Sequence, residues 1–266
     1  MRRTSVWRTP RNHPGNLRGP QLAPAGIGSA ILTLLAATTA VAGEAKFTPP
    51  QGCTAFATVQ HKGCTVSQHY TCEGDPAGYQ WSLYMDADGP FFASLIDSET
   101  RWIESHDLDS GGGETLQSET DPASFTELLA TGTDTYDFTQ AAPDGTTTRY
   151  VGVDRLTGET IDVSGITMER TEFDISAFDA EGGLLWRRKG NDLIQREWRL
   201  FFGDRESFEN SYGDTEESVS TPMTVAHPGD KGFLSAKPEF DCDMMMTRAP
   251  LPQATPQATE NDHDQL

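Results

Sequence analysis

The side chains best equipped for chemistry are four cysteines and the two histidines that precede a pair of them. His61-x-x-Cys64 and His69-x-x-Cys72 repeat one spacing and hold the four nitrogen and sulfur donors of a tetrahedral zinc site. The segments carrying them, however, read as strands rich in β-branched and aromatic residues. A spacing of three along a strand turns His and Cys to opposite faces, so the pairs do not close on one ion. Disulfide bridging is the better use of these thiols. If 54–60 and 64–72 form a hairpin around Lys62-Gly63, Cys53 lies opposite Cys72, and Cys64 is left for Cys242. A three-residue loop would move that register by one. The expected bridges are Cys53–Cys72 and Cys64–Cys242, the second clipping the end of the domain beside its first strands.

Other candidate groups are weaker. Asp107-Leu108-Asp109-Ser110-Gly111-Gly112 opens like a calcium loop, but its fifth position is Gly111 and its twelfth is Ser118, where a bidentate glutamate is needed. A solvated turn is expected there. Cys242-Asp243-Met244-Met245-Met246 offers soft donors for Cu(I), yet neighbours on a strand face alternately, so core filling is expected. No Gly-x-Ser-x-Gly, Ser-x-x-Lys or His-Glu-x-x-His occurs, nor a Walker or dinucleotide loop. His106 beside Asp107 reads as a surface pair. No catalytic residue, metal ligand or cofactor is nominated, and the expectation leans away from an enzyme. Trp81, Trp102, Trp186 and Trp198 each fall in an expected strand, where rings fill a sheet's interior or line an apolar cavity. They are the candidate cavity-lining residues.

The elements that must position these groups are mainly strands. Short runs at 80–85, 91–96, 101–105, 146–154, 160–166, 168–178, 184–188 and 193–202 are separated by Gly-, Asp- and Asn-rich turns. This spacing predicts an antiparallel meander of eight or more strands, either a closed barrel or a strongly twisted sheet, in one domain over 43–247. One helix interrupts it: Asp121 is the expected cap, Pro122 suits the first turn, Gly132 closes it, and Phe125, Leu128 and Leu129 form the apolar stripe. Phe201 stands on the face of Arg199, which requires something to cover it. Residues 203–238 are acidic and Gly-rich and read as a long irregular segment before a last strand near 240–246. Residues 248–266, rich in Pro, Gln, Ala and Thr, read as a disordered tail.

Residues 1–42 carry five arginines and no acid, then an apolar stretch ending in Ala40-Val41-Ala42, the pattern of a cleaved export signal. The expected location is periplasmic or extracellular, and no apolar run reaches the roughly 18 residues of a membrane span. The chain has 20 Lys+Arg against 40 Asp+Glu, so nucleic acid is excluded as a partner by charge repulsion. The acids are scattered, as on a solubilising surface. The expected function is a non-enzymatic exported binding protein for an apolar small molecule or lipid. The alternatives are an envelope assembly factor meeting a partner protein, and a hydrolase whose residues are dispersed along the chain.

Overall fold

The computed structural model describes residues 45–245; the expected leader, the tail and Met246 lie outside them. The strands in chain order are β1 (Cys53–His61), β2 (Thr65–Cys72), β3 (Gln80–Met85), β4 (Pro90–Ile96), β5 (Trp102–Asp107), β6 (Gly112–Asp121), β7 (Thr133–Ala141), β8 (Thr147–Val163), β9 (Ile166–Phe178), β10 (Leu184–Gln195), β11 (Leu200–Asn210), β12 (Thr215–Val219) and β13 (Pro222–Ala226). Helix α1 (Phe125–Thr131) stands between β6 and β7, and a four-residue helix α2 (Cys242–Met245) ends the described chain. All the strands form one antiparallel sheet, in which β1 to β12 pair in sequence and β13 pairs with β1. Only Ser220 and Thr221 separate β12 on one edge from β13 on the other. Ser220 N donates to Asp204 O at 2.9 Å and Lys62 N to Thr221 O at 3.0 Å, so the chain crosses between the edges in one step. No ladder joins β12 to β13. The fold is therefore the strongly twisted open sheet with one packed helix, not the closed barrel.

Several expected turns are irregularities inside longer strands. The break at 156–158 is a register shift within β8, between Leu156 and Thr160, and the break at 189–192 is a shift within β10, between Asn191 and Asp192. Glycine marks both because a bulge or a close strand approach also needs it. At Gly190 an added Cβ would lie 2.0 Å from Arg205 O. Conversely, the expected strand 193–202 is cut by a turn at 196–199, with Arg199 at φ 53°.

The first hairpin shows two irregularities that offset each other. Its loop has three residues, since His61 pairs with Thr65, which alone would move Cys53 out of line with Cys72. A bulge at Phe56, between Ala55 and Ala57, takes up the extra residue and restores Cys53 opposite Cys72. Both expected disulfides form, Cys53–Cys72 and Cys64–Cys242, with Cα–Cα separations of 3.9 and 4.5 Å.

Helix α1 is capped by Ser124, whose hydroxyl accepts from Glu127 N, and not by Asp121. Asp121 ends β6 and accepts from Thr135 Oγ1 at 2.7 Å. Gly132 closes the helix at φ 82°. Phe125 and Leu128 bury against Ile194, and Phe201 meets Phe125 edge-on at 5.6 Å, which explains an aromatic ring in that phase of β11.

The segment expected to be irregular, 203–238, contains most of β11 and all of β12 and β13. The rest of it is held by side chains rather than by a ladder. On the face of β1 and β2 opposite Val59, buried Gln60 donates to Lys237 O and accepts from Glu239 N, both at 3.0 Å. Buried Gln68 donates to Ser235 O at 2.7 Å, and Thr58 accepts from Leu234 N at 2.8 Å. These bonds satisfy backbone groups that strand pairing would otherwise serve. The expected last strand near 240–246 does not form, because Cys64 N pairs with Phe240 O and the chain then turns into α2.

Candidate functional site

The curled sheet surrounds a half-open cavity of about 770 Å³ on its inner face. Its volume arises from a mismatch in side-chain size. On one wall the register aligns His69, Ser82, Ser94 and Ser105 across β2 to β5, a row of small hydroxyls with one imidazole. On another, β7 to β10 align Phe138, Tyr150, Ala177 and Trp186 in one row. The next rows are Tyr136–Gly152–Ile175–Arg188 and Asp134–Asp154–Phe173–Gly190. Gly152 is where Tyr136 seats itself, since an added Cβ would lie 2.4 Å from that ring. Trp102 closes on this wall, its ring 5.5 Å from Phe138 and 5.4 Å from Tyr150.

The hydroxyl and imidazole wall is a directed hydrogen-bond chain. His61 Nδ1 lies 3.1 Å from Ser220 O, a carbonyl that only accepts, so Nδ1 carries the proton. In the neutral ring Nε2 then accepts from the Ser67 hydroxyl at 2.8 Å. Ser67 Oγ, having given its proton, accepts from His69 Nε2 at 2.8 Å, and His69 Nδ1 accepts from Ser82 at 2.9 Å. Every donor finds an acceptor. Burial pulls His61 down to about 4 and His69 to about 3, with His61 adding to the effect on His69. Ser82 lines the cavity beside an imidazole. A ring that protonates only near 3 is nonetheless too weak a base to activate a hydroxyl at neutral pH.

The carboxyl wall is the opposite case. Asp154 and Asp192 line the cavity, yet among the described residues neither side chain accepts a hydrogen bond or enters an ion pair. Burial, then Asp134, pushes Asp154 up to about 7. Burial, then Asp154, Glu206 and Asp204, raises Asp192 well above the carboxylate range. Asp134 stands directly opposite Asp154 in the ladder. It is pushed up to about 6 mainly by burial, against the bond that its Oδ2 receives from Ser124 N. Its other oxygen, Oδ1, is buried without a partner. The basic side chain on this wall, Arg188, is already engaged: its guanidinium lies 5.2 Å from the Trp186 ring centre, 5.5 Å from that of Phe208 and 3.8 Å from Glu206.

Of the four tryptophans singled out from the sequence, Trp102 and Trp186 line the cavity and Trp81 and Trp198 do not. Trp81 stacks between Tyr70 and His106 and donates to Asp75 at 2.9 Å. Trp198 sits in the turn before β11 and packs against Phe56, Phe202 and His227. His106 pairs with Glu104 at 3.1 Å, while Asp107 closes its own turn by accepting from Ser110 N at 2.8 Å. Sequence reasoning passed over Asp134, Asp154 and Asp192. One signal was present: Asp134, Tyr136 and Phe138 share a strand phase, so one carboxyl faces inward with two rings. No family model, no curated protein and no solved structure matches this chain.

Proposed function

We propose that the protein is an exported carrier that binds an apolar, ring-bearing or acyl small molecule inside its sheet. The observation that carries this reading is the cavity of about 770 Å³, within the 300–1,000 Å³ of small-molecule sites. Phe91, Phe92, Trp102, Phe138, Ile175 and Trp186 turn apolar surface into it, while Ser94 and Ser105 supply hydroxyls that orient a polar end. The two disulfides fit an oxidising compartment outside the cytoplasm. The test is titration with the neutral fluorophore Nile red. Saturable binding with one site per chain is expected, with quenching of tryptophan emission. Ser94→Trp, which fills the cavity beside the serine row, should abolish binding while leaving the melting temperature nearly unchanged. Absence of binding to the native protein, or equal binding by the filled variant, would overturn the proposal.

A further inference from the structure

The carboxyl wall says what charge the ligand carries, an inference that rests on the ligand-binding reading above. The cavity lining includes the acids Asp107, Asp109, Asp154, Asp192 and Glu206, against Arg188 as its basic side chain. Arg188 is committed to two ring faces and Glu206, and this contact is itself a precedent: the wall already holds one organic cation by π faces and a carboxylate. Asp154 and Asp192 make no such contact, and only the more distant fields of Arg155 and Arg188 act on them.

Asp134 does not itself line the cavity, but it adds a third carboxyl beside Asp154. It is 5% exposed, its Oδ1 has no hydrogen-bond partner, and the ladder points it to the same face as Asp154, its direct cross-strand neighbour. Two carboxyls placed directly opposite one another destabilise a sheet. Tyr136, on the same face two residues on, has its phenol raised by burial first and then by Asp154, Asp192, Asp134 and Asp174. Among the described residues no three His, Cys, Asp or Glu side chains approach closely enough to hold a metal ion. The cation that fits is larger than a metal and brings its own apolar body.

We infer that the cavity selects a small molecule bearing a protonated amine on an apolar, ring-bearing body, with the amine seated at Asp154 and Asp192 and the body against Trp102, Phe138 and Trp186. Such a ligand relieves the repulsion among the carboxyls while it buries its rings. Left alone, Asp154 is partly protonated near neutral pH. The charged groups acting on Asp154 are Asp134 from β7 and Arg155 from its own strand, and those acting on Asp192 are Asp154 from β8, Glu206 and Asp204 from β11 and Arg188 from its own strand. Seating the amine therefore drives protons off the wall.

The experiment compares three probes with one naphthyl body, 2-naphthylethylamine, 2-naphthylethanol and 2-naphthylacetate, by calorimetry at pH 8. The amine should bind at least tenfold more tightly than the alcohol, and the carboxylate most weakly. At pH 6.5 amine binding should release protons, seen as a dependence of the heat on the buffer's ionisation enthalpy, and alcohol binding should not. Asp154→Asn with Asp192→Asn should erase the amine's advantage and leave the alcohol's affinity intact; if the double variant does not fold, Asp154→Asn alone should reduce the advantage severalfold. Equal affinity of amine and alcohol for the native protein, or an advantage that survives the substitutions, would overturn the inference while leaving the carrier reading standing. Failure of all three probes and of Nile red would remove the carrier reading itself.

Discussion

Across one cavity, β1 to β3 bury imidazoles and hydroxyls while β7 buries one carboxyl and β8 and β10 hold two that are half-buried, and the two walls resolve the cost of desolvation differently. Ser82 donates to His69, and His69, Ser67 and His61 each accept from one neighbour and donate to the next, ending on Ser220 O. The chain stays neutral because every partner it needs is inside the fold. Asp134 instead stands opposite Asp154, whose field in turn reaches Asp192, and an interior of low polarity amplifies the repulsion within each pair. A wall that completes itself is a structural device. A wall whose carboxyls hold protons for want of partners leaves them free to answer a cation that arrives later.

The largest expected effect separates the walls by what supports them. Segment 232–242 backs β1 and β2 and is clipped by Cys64–Cys242, which closes a span of 178 residues. Loop entropy assigns such a bridge about 5 kcal/mol. Cys242→Ser should lower the melting temperature sharply, and hydrogen exchange should lose protection in β1 and β2 while β7 to β10 keep theirs. Uniform loss of protection would erase the distinction. Ser67→Ala comes next: it leaves both His61 Nε2 and His69 Nε2 without partners, at a cost of about 3 kcal/mol measured by denaturant unfolding. A cost near zero would mean that the chain contributes nothing.

Asp154→Asn should have the opposite sign. A carboxyl raised to about 7 in the folded protein binds its proton more tightly there than in the unfolded chain. Its contribution is complete below the unfolded value near 3.8 and lost as pH rises through 7. At pH 8 the amide should therefore stabilise the protein by roughly 1–2 kcal/mol, a figure discounted for water in the cavity. The smallest effect is the mirror image on the acid side. His61 and His69 are depressed to about 4 and 3, so their contribution is complete above 6.5 and is lost as pH falls toward those values. Melting curves from pH 4 to 9 should show Asp154→Asn flattening the alkaline limb and His69→Gln flattening the acid one. A shared response of both limbs to either substitution would show that the walls are not independent.

Much of the architecture was legible because it depends on local pattern. The meander, the helix with its Phe125–Leu128 face and the glycine at 132 follow from periodicity and punctuation. Glycine proved ambiguous, since 158 and 190 mark irregularities within strands as readily as 182 marks a turn. The Cys53–Cys72 register came out correctly although the loop is one residue longer than the two-residue form, because the bulge at Phe56 cancels the difference. The carboxyl wall was hidden for a different reason. Alternation assigns each residue a face, but only the curl of the whole sheet decides which inward positions meet across the cavity. Trp102 and Trp198 look alike in sequence, yet one borders the cavity and the other caps a turn.

The long bridge also has a consequence in time. A chain is made from its N-terminus, so Cys53, Cys64 and Cys72 emerge together while Cys242 follows far behind. During that interval Cys64 has two nearer partners, both wrong, and it must stay reduced or be released from them by exchange. In the folded protein its proper partner is held beside it by segment 232–242, which is bonded to Gln60 and Gln68. The 64–242 bond thus joins the earliest-made and the last-made parts of the described chain, and native pairing requires Cys64 to pass over both nearer thiols.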